Sequence, residues 1–329
     1  MKQSIYKTFA RLQQKESVRK DVFLAATLPF TKKHKIGISS EGYPMFFIEC
    51  TNTLHFSDIN LEFISILFSR TCRLSESDSK QTENIYTIIL LKTGNSDFQQ
   101  YFIEIVCVVL EQLPESPSHE QLKKEIQKLI ELFSRFNRPP RKTIQGLWAE
   151  LFIIERAKVP EYLIQSWHTS PNDKFDFNDG YDKIEVKSTS TVRRMHSFSL
   201  EQLYPNQNSN LLVASVFVIQ TGQGKNIFDL KDSICKRVQS LQLQFRLNDI
   251  LSQTLGNDFD KVFDVYFDYQ QALDTLAFYN FKNIPTISSD NIPEEINNIR
   301  FDCDLSHIIS ARSDEFISTE SQLFKSIQI

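Results

Sequence analysis

The sequence lacks the runs and spacings that mark several classes of protein. Its 329 residues include 8 Gly and 3 Met, which argues against flexible low-complexity stretches. No two of the five cysteines lie within four residues of each other, so the short cysteine spacings of zinc sites do not occur. The longest apolar run, 101–113, is too short to cross a membrane and contains Glu104 and Glu111. We therefore expect reduced core cysteines, no membrane contact and a cytoplasmic protein without a secretion signal.

Excess positive charge is also lacking. Lys and Arg number 37 against 41 Asp and Glu, and the formal net charge is −4. Any contact with nucleic acid must therefore come from a local basic patch. The sequence also lacks the Gly-rich loops of ATPases and methyltransferases, so translocation or modification of nucleic acid would require partner proteins.

What the chain does contain predicts a β-rich first domain over residues 1–113. The length suffices for two modest domains, and the 27 Phe favour aromatic-packed sheets. Runs rich in β-branched and aromatic residues predict strands at 22–26, 45–50, 85–91 and 102–110, with a polar loop at 74–84. This portion carries no chemical constellation, and we expect a structural or recognition module.

A helix with a clear start separates this domain from the next. Proline-containing residues 114–117 interrupt the chain, and Ser118 then has Gln121 three residues on, which is the spacing of a capping box. We predict a linker helix within 114–140 and a second domain over 141–329 that includes a carboxy-terminal extension.

The second domain shows alternating helical and strand patterns. An apolar helix begins near Ile144 and carries Glu150, and an Asn178-Asp179-Gly180 turn joins two short strand-like runs. Further on, the pattern predicts a helix at 198–204, a buried strand at 211–219, a helix at 229–255 and a strand at 262–269. The carboxy-terminal part is expected to extend the sheet or pack on it, and Trp148 and Trp167 are expected in the core.

One group of residues carries recognisable chemistry. Asp176 is followed by Glu185-Val186-Lys187, and the alternation of a strand places Glu185 and Lys187 on one face with Val186 opposite. Phosphodiester hydrolysis requires a cation that neutralises charge on the phosphate and activates water, and Mg²⁺ prefers one or two carboxylates with several waters.

This segment resembles the PD-(D/E)XK nuclease superfamily, to which restriction endonucleases and many DNA-repair nucleases belong. The likeness covers about residues 140–220 and includes the helix segment 146–151 with Glu150. It implies an α/β (α+β) fold with a restriction-endonuclease-like αβββαβ core, here joined to an additional β-rich amino-terminal domain. The whole chain is similar to bacterial PD-(D/E)XK proteins found near restriction or phage-defence genes.

The resemblance also implies roles for individual residues. Asp176, Glu185 and the carbonyl of Val186 would hold Mg²⁺, for which Mn²⁺ could substitute. Lys187 would orient the attacking water or stabilise the transition state. Glu150 would bind or orient a metal-bound water, although a solvated helix position would equally explain this residue.

Residues after the triplet are further candidates. Ser188, Arg193, Arg194 and His196 form a polar, basic segment suited to phosphate contacts, or else an ordinary basic loop in which His196 has a structural hydrogen bond. In some members of the superfamily a Gln from the following helix enters the site, which makes Gln202 a catalytic candidate or a helix-surface amide.

Two alternatives bear on the triplet itself. The proline of the family name is absent, and several aspartates compete for the metal position, namely Asp173, Asp176, Asp179 and Asp182. Asp176 is preferred because two Phe flank it in a strand-like run, whereas Asp179-Gly180 is typical of a turn. Glu185 and Lys187 could instead form an ion pair on an exposed strand face.

The sequence therefore predicts a Mg²⁺-dependent endonuclease that hydrolyses DNA, in a restriction or phage-defence system. The alternative is a catalytically inactive nuclease-fold protein that binds nucleic acid or assembles a complex. DNA is the expected partner, and partner subunits of a defence system or a homodimer are further expectations.

Overall fold

A computed structural model describes residues 2–15, 22–49, 57–77, 80–137, 139–140, 142–168, 173–205, 209–288, 292–293, 295–312 and 320–327. The chain divides into two compact units, Met1–Pro139 and Pro140–Ile329. Residues 114–139, where a linker helix is predicted, are counted with the first unit. No helix in these described ranges is both long and apolar enough to cross a membrane.

The first unit is built on a six-stranded sheet. Its elements are α1 (Lys2–Gln13), β1 (Val22–Thr27), β2 (Lys35–Ile38), β3 (Pro44–Glu49), β4 (Ile59–Asn60), β5 (Ile64–Ser77), β6 (Lys80–Leu91), α2 (Ser96–Leu110) and α3 (His119–Ser134). The strand order is β1-β2-β3-β6-β5-β4, and β1 also pairs in parallel with β5, which closes the sheet on itself. The predicted strands at 22–26 and 85–91 are confirmed; the strand predicted at 45–50 is described to residue 49.

Two expectations for this unit are wrong. The strand predicted at 102–110 belongs to α2, which begins after Asn95 caps it by accepting from Asp97 N–H and Phe98 N–H. The prediction failed because this run is buried on nearly all sides, and its sequence therefore shows no alternation of apolar and polar residues that would distinguish a strand from a helix. Residues 74–77 and 80–84 of the predicted polar loop form the paired ends of β5 and β6, whose polar side chains include the exposed ion pair Arg73–Glu83, while residues 78–79 lie outside the described residues.

The capping box predicted at the start of α3 is confirmed. Ser118 Oγ accepts from Gln121 N–H, and Gln121 Oε1 accepts from Ser118 N–H. Helix α1 was not predicted from the sequence.

The second unit is a mixed α/β structure. Its elements are α4 (Ile144–Arg156), α5 (Pro160–Ser166), β7 (Phe177–Asn178), β8 (Lys183–Thr189), β9 (Met195–Ser199), β10 (Leu211–Phe217), β11 (Gln220–Thr221), α6 (Ile227–Arg237), α7 (Leu241–Leu255), β12 (Tyr266–Phe267), α8 (Tyr269–Thr275), β13 (Ala277–Asn280), β14 (Arg300–Asp304) and α9 (Gln322–Ser326). The main sheet has the order β13-β10-β8-β7, in which β8 and β10 are parallel. The expectation that the carboxy-terminal part extends this sheet is confirmed by β13.

The third strand of the expected core takes another position. β9 pairs with β14 in an antiparallel two-stranded ribbon that is separate from the main sheet. The helix predicted at 198–204 is the end of β9 followed by a 3₁₀ turn, Leu200–Leu203. The mixed α/β class is therefore observed, with a short turn where a crossover helix was expected.

Two further boundaries differ from the prediction. The helix expected at 229–255 is α6 and α7, because the backbone is extended at Val238 and Ser240 restarts a helix by accepting from Leu243 N–H. The strand expected at 262–269 is shorter in the structure, where β12 comprises Tyr266–Phe267.

Helix α4 and the β7–β8 hairpin form the frame of the site. α4 packs on β8 and α6, with Trp148 fully buried and stacked on Phe152 at a ring-centroid distance of 5.4 Å. Trp167 is fully buried as well, so both Trp are core residues as expected. The hairpin turn is confirmed by Gly180, whose φ of +92° few other residues adopt.

Candidate active site

Asp176 lies directly before β7 rather than inside a strand. Its carboxyl is buried, and Oδ2 accepts a hydrogen bond of 2.8 Å from Val186 N–H. The competing Asp179 is occupied in the turn, where Oδ1 accepts from the N–H groups of Tyr181 and Asp182. Asp176 is thus the aspartate held against the strand that carries the triplet.

Glu185 and Lys187 share one face of β8, as strand alternation requires. Lys187 Nζ lies 2.9 Å from Glu185 Oε1, and both side chains are largely buried. The alternative prediction that these two residues lie on an exposed strand face is therefore wrong, although the ion pair is present. Glu185 Oε2 is buried and has no hydrogen-bond partner among the described residues. A buried carboxylate oxygen of this kind normally requires a donor or a cation.

Gln202 connects these two residues. Its Nε2 donates to Glu185 Oε1 at 2.6 Å, and its Oε1 accepts from Lys187 Nζ and from Ser199 N–H, each at 3.1 Å. The 3₁₀ turn after β9 thus points an amide into the site, and Gln202 is not a helix-surface residue.

Glu150 reaches the same place from α4. The residue is 2% exposed, which rules out a solvated helix position. Its Oε2 accepts from Trp167 Nε1 at 2.7 Å and lies 2.8 Å from His168 Nε2, while Oε1 accepts from Lys142 Nζ at 2.6 Å. These contacts fix both oxygens of the carboxylate.

Lys142 and His168 are site residues that the sequence did not reveal. Lys142 Nζ bridges Glu150 and Asp176, and it contacts Asp176 Oδ1. His168 has a φ of +43°, an uncommon backbone conformation for a non-glycine residue. Neither residue has a local spacing that relates it to Asp176, so no sequence signal could have found them.

These groups line one cavity of about 880 Å³. Its wall includes Glu150, Asp176, Glu185, Val186, Lys187 and Gln202, which are the six residues predicted for catalysis or metal binding. Lys174 and Arg300, both exposed, also lie on its wall. The cavity therefore combines buried carboxylates with cationic side chains open to solvent.

Burial and neighbouring charges shift the pKa values of the three carboxyl groups in different directions. Burial and the charge of Asp176 raise the pKa of Glu185 to about 8, against the opposing effect of Lys187. Burial and Glu150 likewise raise the pKa of Asp176. Burial also acts to raise the pKa of Glu150, but Lys142 and His168 outweigh it and hold that pKa below its usual range. Burial tends to lower the pKa of Lys142, yet attraction by Asp176 and Glu150 raises it.

The donor set fits a divalent cation. Glu150, His168 and Asp176 each offer one ligand atom, and these atoms lie within 4.8 Å of one another. Glu185 adds Oε2, which has no hydrogen-bond partner in the described part of the chain, on the wall of the same cavity. Carboxylate oxygens are the preferred protein ligands of Mg²⁺ and also suit Mn²⁺.

The residues predicted to contact nucleic acid lie outside the cavity wall. Arg194 is half-buried, donates to Ser215 Oγ and Thr275 O, and lies over the Phe217 ring at 4.8 Å. His196 is buried with Nε2 2.7 Å from Ser215 Oγ. These are structural contacts within the unit.

The other two predicted contacts differ from these. Ser188 Oγ accepts from Gln145 Nε2 at 3.1 Å, and Arg193 is exposed. Phosphate binding by any of the four residues stays a prediction.

Comparisons with known proteins bear on the family. No curated protein and no solved structure matches the chain. A family model described as "Putative PD-(D/E)XK family member, (DUF4420)" matches residues 5–306, which is most of the chain. This match includes the whole hairpin and the cavity residues described above. Because the match covers most of its residues, the chain belongs to this family of PD-(D/E)XK proteins.

Proposed function

We propose that the protein is a Mg²⁺-dependent endonuclease that hydrolyses phosphodiester bonds in DNA. The observation that carries this proposal is the convergence of Asp176, Glu185 and Lys187 on one cavity, with an oxygen of Glu185 that lacks a partner in the described structure. Family membership supports a nuclease-like fold. We propose that the succession of α4, β7, β8, β9, the 3₁₀ turn and β10 is the αβββαβ core in a modified form.

The metal ligands would be Asp176, Glu185 and the carbonyl of Val186, with Glu150 holding a metal-bound water. Bound Mg²⁺ supplies charge neutralisation at the scissile phosphate and activation of water. Mn²⁺ would substitute, since it accepts the same oxygen ligands.

The chain's own groups would position the reactants. Lys187 Nζ donates to the attacking water or to a phosphate oxygen, and Gln202 keeps that ammonium on the cavity wall through its Oε1. Gln202 also holds Glu185 through the 2.6 Å hydrogen bond to Oε1, so that Oε2 remains the free acceptor. Trp167 Nε1 and His168 Nε2 hold Glu150 through its Oε2.

Substrate binding would use the exposed cations at the cavity. Lys174 and Arg300 lie on its wall, in a protein whose overall charge does not favour polyanions. We propose DNA as the substrate and a restriction or phage-defence system as the setting, in the cytoplasm, with partner subunits or a second copy of the chain completing the enzyme.

The test is cleavage of supercoiled plasmid and of single-stranded DNA with Mg²⁺ or Mn²⁺. Cleavage is expected from the wild type and is expected to be lost with Glu185→Gln, Lys187→Ala or a chelator. Asp179→Asn is the matched control, because Asp179 is a nearby carboxylate engaged in the turn. Equal cleavage by all four proteins would place the activity elsewhere or in a contaminant.

One observation favours the second candidate, a non-catalytic nucleic-acid-binding or assembly subunit. Lys142 already bridges Glu150 and Asp176, as a cation built into the chain would do in a site that no longer binds metal. DNA binding without cleavage, unaffected by Mg²⁺ or Mn²⁺, would support this candidate over the nuclease.

A further inference from the structure

We propose that the ammonium group of Lys142 is an internal counter-cation of Glu150 and Asp176 that a divalent ion must displace. Lys142 would thereby set the metal concentration at which the site loads. The inference rests on the proposed function in that it takes the nuclease metal site as the site being loaded.

The oxygens that Lys142 contacts are the ones left over for a ligand. Glu150 Oε2 is engaged by Trp167 Nε1 and His168 Nε2, and Asp176 Oδ2 by Val186 N–H. The remaining oxygens, Glu150 Oε1 and Asp176 Oδ1, are the two that accept from Lys142 Nζ. An ion bound by Asp176, with its water held by Glu150, would compete with the ammonium for these same oxygens.

The burial of the partners explains why a cation is needed there. The side chains of Glu150 and Asp176 are 3% and 8% exposed, and two neighbouring carboxylates at that depth repel each other strongly unless neutralised. The Lys142 side chain is 33% exposed, so the ammonium can move to solvent on its flexible stem when a stronger cation arrives. One cation or the other is thus needed to reduce the repulsion between the two carboxylates.

The chain offers a matched control in Lys225. Its side chain is 35% exposed, and its Nζ lies 3.6 Å from Glu155 Oε1 in the same unit. Lys225 is not among the residues that line the cavity. Replacing it removes a lysine–carboxylate pair of similar exposure without changing the charge next to Asp176.

The experiment is calorimetric titration of Mn²⁺ and Mg²⁺ into the full chain, comparing wild type, Lys142→Gln, Lys142→Met and Lys225→Gln. All four proteins are measured in the same buffer at the same pH, because metal binding to these carboxyl groups also displaces protons. Both Lys142 variants are expected to bind Mn²⁺ about tenfold to a hundredfold more tightly, the size of one charged hydrogen bond no longer broken. Lys225→Gln is expected to bind like the wild type.

Thermal unfolding gives a second readout that does not depend on cleavage. Without metal, the Lys142 variants should melt at a lower temperature than wild type, and saturating Mn²⁺ should raise their Tm by more than it raises that of wild type. If Lys142→Met does not fold, Lys142→Gln keeps a hydrogen-bond donor and serves in its place.

The outcomes separate this inference from the proposed function. Tighter binding by the Lys142 variants supports the displacement. Unchanged or weaker binding, with the wild type still binding metal, overturns the displacement and leaves the nuclease proposal intact. Absence of binding in all four proteins removes the metal site, and both proposals fall together.

Discussion

Val186 N–H donates a 2.8 Å hydrogen bond to Oδ2 of Asp176, ten residues earlier in the chain. The strand that presents Glu185 and Lys187 therefore also fixes the carboxylate that precedes β7. This bond ties together the two halves of the Asp…Glu-Val-Lys pattern, which are separated by the turn at Gly180. The geometry of the carboxylates consequently depends on the hairpin as a unit.

Substitutions of Asp176 separate its charge from this hydrogen bond. Asp176→Asn keeps an oxygen acceptor for Val186 N–H but removes the negative charge that pairs with Lys142, so cleavage should fall at least about 100-fold. Asp176→Ala should lose cleavage and should unfold with a free energy about 1–3 kcal/mol lower than that of Asp176→Asn, because the buried Val186 N–H also loses its acceptor. Single-turnover cleavage and urea unfolding measure the two effects. Full activity of Asp176→Asn would exclude this carboxylate from the reaction.

Gln202 is expected to act by positioning Lys187 and Glu185. Gln202→Leu leaves both side chains without their amide partner, and cleavage should fall about tenfold or more through kcat, with DNA affinity little changed. Gln253→Leu is the control, since Gln253 lines the same cavity but donates to Asp249 Oδ2. A Gln202→Leu enzyme with normal kcat and a raised KM would instead assign Gln202 to substrate binding.

Lys174 and Arg300 are expected to bind the DNA backbone, in preference to Arg193. The double variant Lys174→Glu/Arg300→Glu should weaken DNA binding and lower the slope of log affinity against log salt by about 2, since each phosphate contact contributes about 0.9. Arg193→Glu, exposed but away from the cavity wall, should bind nearly as the wild type. Fluorescence anisotropy without divalent metal provides the measurement. The reverse ranking would favour the basic segment predicted from the sequence.

The pH dependence of stability should report on His196. Burial, with the charges of Lys187 and Arg194, lowers its pKa from 6.5 to about 4. Between these values the unfolded chain takes up a proton that the folded protein excludes, so the contribution to stability is lost as the pH falls from about 6.5 to about 4.

The shift in the His196 pKa corresponds to at most about 3 kcal/mol of unfolding free energy. His196→Gln should lose less stability than the wild type between these two pH values, measured by urea unfolding of the full chain. His307→Gln, at an exposed position, should retain the wild-type dependence. Parallel pH profiles for all three proteins would contradict a buried neutral His196.

Part of the fold could be predicted because local chemistry fixes it. The capping box of Ser118 and Gln121 and the turn at Gly180 depend on residues close together in the chain, and both are observed. The 102–110 run was assigned wrongly because complete burial removes the periodicity that separates helix from strand. The position of β9 in a ribbon with β14 depends on a partner about a hundred residues away, which no local pattern specifies.

Because side chains alternate along a strand, the sequence was enough to predict that Glu185 and Lys187 share a face. The flanking Phe residues favoured Asp176 over Asp179, whose Asp-Gly pair is typical of a turn. The other groups that surround them depend on the tertiary structure. Lys142 lies 34 residues before Asp176 and meets it because α4, which begins two residues later, packs on β8 of the hairpin. The same packing buries Glu150. Charges brought together across such distances are set by the path of the whole chain, which residue spacing does not encode.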